Sequence, residues 1–183
     1  TKYKGNAKNL VIPETIQGLP VEVIDGFKEN ENIKSVVIPS SAKIIAPSAF
    51  FFFFYLEKVT LPEGLLYIGS HAFGETALTS VTVPKSLLFI GRGAFGSDNL
   101  AEINIPDNAA FLLKNAPEYV ASVGEYMTEQ YFTIYGENIF SGSIIDESVA
   151  LQKKLKEIKC VDCDNYEYYP KLQETFDKFG YWL

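Results

Sequence analysis

Two cysteines, Cys160 and Cys163, are the only thiols in the chain and stand in the run Cys-Val-Asp-Cys. That spacing suits half of a zinc site or a redox pair. A structural zinc takes four ligands, yet the single histidine, His71, lies far upstream. A thioredoxin-like pair follows a strand and opens a helix, whereas these thiols sit between Lys159 and an acidic, tyrosine-rich stretch at 164–169. Incidental thiols or a local disulfide is the favoured reading, ahead of redox sensitivity and of a metal shared between chains. Asp162, Asp164 and Glu167 could touch calcium, but the spacing and the glycine of an EF-hand are missing. His71 occupies a position held by Ser48 and Gly93 in neighbouring segments, which fits a surface histidine better than a catalytic one. No glycine-rich phosphate loop, nucleophile elbow or zinc-helix motif is present. No enzyme is expected, and no catalytic, cofactor-binding or metal residue is assigned.

The remaining chemistry is that of surfaces, and composition limits it. The chain has 183 residues, 47% of them hydrophobic and 21% charged, which suits one globular domain or a domain with an appendage. The longest apolar run, Phe50 to Leu56, is far too short to cross a bilayer as a helix, so no membrane insertion is expected. No secretory signal is visible; a chain that opens on Thr1 is expected to be trimmed, which leaves export open. The formal net charge is −7. It divides as −2 over residues 1–110 and −5 over 111–183. Neither part concentrates positive charge, so nucleic acid is not an expected partner, nor is an anionic membrane bound by charge alone.

Behind these residues stands a repeat. An aliphatic–proline pair recurs as Ile12-Pro13, Ile38-Pro39, Leu61-Pro62, Val83-Pro84 and Ile105-Pro106, with steps of 26, 23, 22 and 22 residues. Ile45, Ile68 and Ile90 keep the same period, as do Ala49-Phe50, Ala72-Phe73 and Ala94-Phe95. Ile33, Leu56, Leu78 and Leu100 open each next unit. Several independent positions holding one period identify a solenoid. The segments 35–38, 58–61, 80–83 and 102–105 read as short strands. Alternation points Val36/Ile38, Val59/Leu61, Val81/Val83 and Ile103/Ile105 inward, and Val37, Thr60, Thr82 and Asn104 outward. Proline then ends each strand, because it has no amide hydrogen to give a ladder. Gly69 and Gly91 are expected to allow a tight bend. The phenylalanine of each Ala-Phe pair is expected to fill the interior.

The unit Leu56 to Phe73 reads LEKVTLPEGLLYIGSHAF, and Leu78 to Phe95 repeats it as LTSVTVPKSLLFIGRGAF. Both resemble the BspA-type leucine-rich repeat, Leu-x-x-Val-x-Ile-Pro-x-x-Val-x-x-Ile-Gly-x-x-Ala-Phe, position by position. The opening segment of that family is also visible in Leu10 to Ile24. The similarity covers about residues 3–110, with an echo at Phe132-Thr-Ile-Tyr-Gly136 that looks like the family's closing strand. There are departures. Phe53, Thr76 and Asp98 stand where the family often has cysteine, and the first coil is shortened at Ile24-Asp-Gly-Phe27. Ala46-Pro47 replaces the glycine of later coils. The resemblance implies an α+β repeat: a right-handed leucine-rich-repeat solenoid with short parallel strands. It further implies an exported protein of a host-associated bacterium, at the cell surface or secreted, that adheres to host matrix proteins or to other cells.

After Ile105-Pro106 the period fails. The expected organisation is a solenoid over 1–110 and a mostly helical cap over 111–183, with a closing strand at 131–136. Helix signals fall near Asn115–Met127, Asp146–Ile158 and Pro170–Phe179. Between the inward aliphatics of each second segment, the middle pair should point outward, and its members Ile44, Leu66, Tyr67, Leu88 and Phe89 form an unexpectedly apolar column. Either this column meets a partner or the carboxy-terminal segment packs over it. The run Phe50 to Tyr55 raises the same question. Phe50 and Phe53 fit the core, but Phe51, Phe52, Phe54 and Tyr55 cannot all join them. They are expected either to anchor an interface or to be covered locally. The sequence thus points to a protein-binding module, with a spacer or homodimerisation scaffold as the alternative.

Overall fold

Proline-terminated aliphatic segments of the kind described above can bury their apolar side only by stacking coil on coil, with strands about 4.8 Å apart. The structure, a computed structural model, describes residues 5, 7–27, 32–87, 89–91, 93–96, 99–104, 110–112 and 160–161. Within these residues every element is a strand or a turn, and there is no α-helix. The supported fold is therefore a parallel β-solenoid; the helical cap and the closing strand at 131–136 lie outside the described residues.

Two ladders run along the solenoid. The first contains β1 (Asn9–Val11), β5 (Ser35–Val37), β7 (Lys58–Thr60), β9 (Ser80–Thr82) and β11 (Glu102–Asn104). The second contains β4 (Val23–Ile24), β6 (Ile44–Ile45), β8 (Tyr67–Ile68), β10 (Phe89–Ile90), β12 (Ala110–Leu112) and β13 (Cys160–Val161). All pairings within both ladders are parallel, and equivalent repeat positions face each other, as Val36 does Val59 and Ile45 does Ile68. The second ladder is continuous over six strands, whereas the first is divided into β1-β5-β7 and β9-β11. β12 and β13 carry the second ladder past residue 110, with Cys160 opposite Phe111. A small antiparallel hairpin, β2 (Thr15–Ile16) and β3 (Leu19–Pro20), projects between β1 and β4. Its two-residue turn, Gln17-Gly18, has positive φ at both positions, as a tight hairpin of that twist requires.

The core between the ladders is built in columns. Phe27, Phe50, Phe73 and Phe95 stack with ring centroids 5.2, 5.2 and 5.5 Å apart and planes within 20° of parallel. Ile24, Ile45, Ile68 and Ile90 form a second buried column, and Ile33, Leu56, Leu78 and Leu100 a third. Phe53 is fully buried and meets Phe50 edge to face at 5.5 Å, so it fills the interior as its spacing predicts. Thr76 takes the same place one coil on, where its hydroxyl donates to the Phe73 carbonyl at 3.0 Å. That bond makes burial of the hydroxyl acceptable.

Gly69 and Gly91 play a different part from the bend expected of them. Neither has positive φ. A Cβ on Gly69 would fall 2.3 Å from the Pro47 nitrogen, and one on Gly91 2.4 Å from the Ser70 nitrogen. They are glycines because the preceding coil's backbone lies against them. Ala46, at the equivalent position, is fully buried and its amide donates to the Ile24 carbonyl at 2.8 Å.

Candidate functional site

Beyond each Ala-Phe pair the chain makes a turn that leads into the next strand, and one of these turns carries the aromatic run. Phe50 and Phe53 anchor it in the core, and the residues between and after them are pushed outward. Phe52, Phe54 and Tyr55 are 39%, 57% and 54% exposed, while Phe51 is half-buried. The rings of Phe51, Phe52 and Phe54 adjoin: Phe51 lies 3.9 Å from Phe52 between centroids, and Phe52 stacks on Phe54 at 5.5 Å. The Phe51 ring also covers Gly74 in the following turn, where a Cβ would come within 2.9 Å of two ring carbons. His71 stands 5.7 Å from Phe51, half-buried rather than freely exposed, with its ring against Gly93.

Backbone hydrogen bonds tie this turn to its own coil and to the next. The Phe51 amide donates to the Ser48 carbonyl, and the Phe52 amide to the Gly74 carbonyl of the next coil at 3.2 Å. Phe52 has φ of 63°, a left-handed conformation that a bulky residue adopts at a cost of about 1–2 kcal/mol. The next turn repeats the geometry with other residues. Gly74 bonds to His71, and Glu75, with φ of 56°, donates to the Gly96 carbonyl at 2.8 Å. Where the first turn has Phe-Phe-Phe-Phe-Tyr, the second has Gly-Glu-Thr-Ala. The repeat therefore does not require aromatic side chains at 51, 52, 54 and 55.

The apolar column of the second ladder fares differently. Ile44 and Tyr67 do point away from the core, because their strand neighbours Ile45 and Ile68 belong to it. Neither is exposed: Ile44 is fully buried and Tyr67 is 2% exposed. Side chains buried in this way do not form an open contact face. Leu66 is half-buried, Phe89 is placed by its backbone in β10, and Leu88 lies outside the described residues. The outward residues of the first ladder, Val37, Thr60, Thr82 and Asn104, are all exposed.

One polar feature recurs between coils. The Glu14 carboxylate accepts the Ser40 amide at 2.8 Å, the Ser41 amide at 2.9 Å and the Ser40 hydroxyl at 3.0 Å. The backbone bond from Ser40 and then that from Ser41 hold its pKa below the usual carboxylate range. Glu63 approaches the Lys85 amide in the same way at 3.4 Å. Among the described residues no group of three or more His, Cys, Asp and Glu side chains is arranged to hold a metal, and no helix is long and apolar enough to cross a membrane.

Sequence spacing carried one signal that the repeat alone hides. Five residues separate Phe27 from Ile33 and Phe50 from Leu56, whereas four separate Phe73 from Leu78 and Phe95 from Leu100. The first ladder parts between β7 and β9, where five-residue turns give way to four-residue ones.

Known proteins agree with this geometry. A family model described as a BspA type leucine-rich repeat region matches residues 23–146 in six copies. A crystal structure of a T. pallidum leucine-rich repeat protein is similar at 31% identity and a TM-score of 0.56, over 60% of this chain and 53% of that one. The chain thus spans about half the length of that relative. A leucine-rich repeat protein from Bacteroides ovatus ATCC 8483 aligns at 21% identity and a TM-score of 0.40, over 57% of this chain and 35% of that one. A search of curated proteins finds no match. With coil period, ladder register and family model in agreement, this chain belongs to the BspA-type leucine-rich repeat family.

Proposed function

We propose that the chain is a non-enzymatic protein-binding module of an exported bacterial surface protein, which contacts host or cell-surface macromolecules. One observation carries this reading. Three aromatic side chains are held exposed in a turn that the neighbouring coil builds with Gly, Glu, Thr and Ala. Exposed aromatic residues that the fold does not need are candidates for contact. Membership of a repeat family supports it, since a solenoid presents a broad rigid face on which several coils act together. The bacterial surface setting comes from the family association alone. Export, adhesion and the helical cap over 111–183 belong to this proposal.

The test is direct. Purified protein is presented to matrix proteins, whole cells and glycans; binding to a protein or cell surface, reduced when Phe54 and Tyr55 are changed to Ser, is the expected result. Absence of binding to any of these above background would overturn it. The same exposed rings also favour a second reading, a homodimerisation scaffold without a ligand of its own. Light scattering separates the two, because a monodisperse monomer removes the dimer.

A further inference from the structure

Away from the aromatic turn, the first ladder has an open edge at β1. We infer that this edge pairs with an extended segment of another protein. The segment carries two alternating aliphatic residues and, ahead of them, an acidic residue that lies beside Lys8.

In a parallel ladder, alternate residues of a strand turn their N–H and C=O groups to opposite neighbours. The Lys8 carbonyl accepts the Lys34 and Ser35 amides, and the Ile12 amide donates to the Val37 carbonyl. Residues 8, 10 and 12 thus serve the pairing with β5, in which Leu10 faces Val36. The N–H and C=O groups of Asn9 and Val11 turn the other way. No strand pairs with β1 on that side, and these groups have no hydrogen bond, among the described residues. Val11 is 67% exposed, so the edge is open to solvent. An edge of this kind is a template for one more strand. The core and the charges beside it say what that strand carries. Leu10 and Ile12 are the least buried members of the core, at 8% and 6% exposure, which marks the end of the columns through Val36 and Ile38. Aliphatic residues at those two positions of an added strand would extend both columns. Lys8, Lys34 and Glu57 follow one another in successive coils, and Lys34 is paired with Glu57 at 2.6 Å. Lys8 is exposed and has no ion pair among the described residues. An acid at the same position of the added strand would repeat the Lys34–Glu57 contact one coil earlier. The first acid of the chain, Glu14, is committed to Ser40 and Ser41. A second copy of β1 would supply no acid, because residues 1–13 contain three lysines and neither Asp nor Glu.

A segment of the chain itself serves as the probe. In the peptide LEKVTLPEG, residues 56–64, Glu57 supplies the acid and Val59 and Leu61 the two aliphatics. Isotope-labelled full chain is titrated with this peptide to about 5 mM and followed by amide NMR, since one short strand is expected to bind with a dissociation constant of about 1 mM. The Asn9 and Val11 resonances should move, and those of Phe54 and Tyr55 should not. The peptide with Glu57→Lys should bind about fivefold more weakly, and the chain variant Lys8→Glu should reverse that preference. Leu61→Pro in the peptide removes the N–H that the Val11 carbonyl would accept, and should weaken binding by at least about fivefold. Val11→Pro in the chain removes the outward N–H, leaves the bonds to β5, and should abolish the movements. If that variant fails to fold, Lys8→Glu and the peptide variants carry the same comparison. No movement at Asn9 and Val11, movement confined to the aromatic turn, undiminished binding by folded Val11→Pro, or no reversal with Lys8→Glu would each overturn the inference. So would the same movements on concentrating the chain without peptide, because a second copy would then fill the edge. The contact reading of the aromatic turn is tested apart from this, by the changes at Phe54 and Tyr55.

Discussion

The two ladders share one core and opposite fates on their outer sides. In the first, Val37, Thr60, Thr82 and Asn104 face solvent, and the ladder is divided between β7 and β9. In the second, Ile44 and Tyr67 are buried on the side away from the core, and six strands pair without a break. Coil length alone does not set the break, since β1, β5 and β7 stay paired at steps of 26 and 23 residues. The break falls on the solvated side. Water can satisfy the N–H and C=O groups released there. On the covered side each unpaired group would cost about 1–3 kcal/mol. The comparison teaches that a repeat places its irregularities where the backbone can be hydrated.

Several substitutions would break or sharpen this contrast. Tyr67→Ser removes a large buried side chain from the covered ladder and should lower unfolding free energy by about 3 kcal/mol in denaturant titration. An effect near zero would mean that the second ladder is as open as the first. Gly69→Ala forces a methyl into the Pro47 backbone and is expected to cost about 2 kcal/mol. In the same assay Thr60→Ser, on the solvated ladder, should stay within about 0.5 kcal/mol. A large loss at Thr60 would remove the distinction between the faces. The smallest effect concerns Glu14, whose folded pKa lies below its unfolded value. Its contribution is therefore complete above the unfolded carboxylate pKa, about 4.3, and is lost as pH falls through the lower folded value. Melting curves of the parent and Glu14→Gln should differ at neutral pH and converge under acid; a constant gap would show that the carboxylate's charge plays no part.

How far the fold could be read from the sequence depended on what each residue answers to. The aliphatic–proline pairs and the Ala-Phe column answer to periodicity, and strands, register and core fall where that periodicity puts them. The phase of Ile44 and Tyr67 was readable too, since alternation alone turns them from the core. Their burial was not, because alternation sets which way a side chain turns and not how far solvent reaches it. Gly69 and Gly91 show the same limit: their recurrence is visible in the sequence, but its cause is the backbone of the coil before. For the aromatic turn, the spacing shows that four rings cannot share the interior with Phe50 and Phe53. It does not show that Phe51 covers Gly74 while Phe52, Phe54 and Tyr55 are left exposed.

The sequence by itself determined a parallel solenoid of 22- and 23-residue coils, its inward residues and its lack of any recognisable catalytic motif. Those properties follow from local periodicity and residue chemistry, which need no knowledge of distant contacts. Tertiary structure decided which outward side is solvated, where the first ladder parts and which aromatic rings stay exposed. Each of these depends on neighbouring coils meeting in space, where one Cβ determines whether backbone and side chains fit.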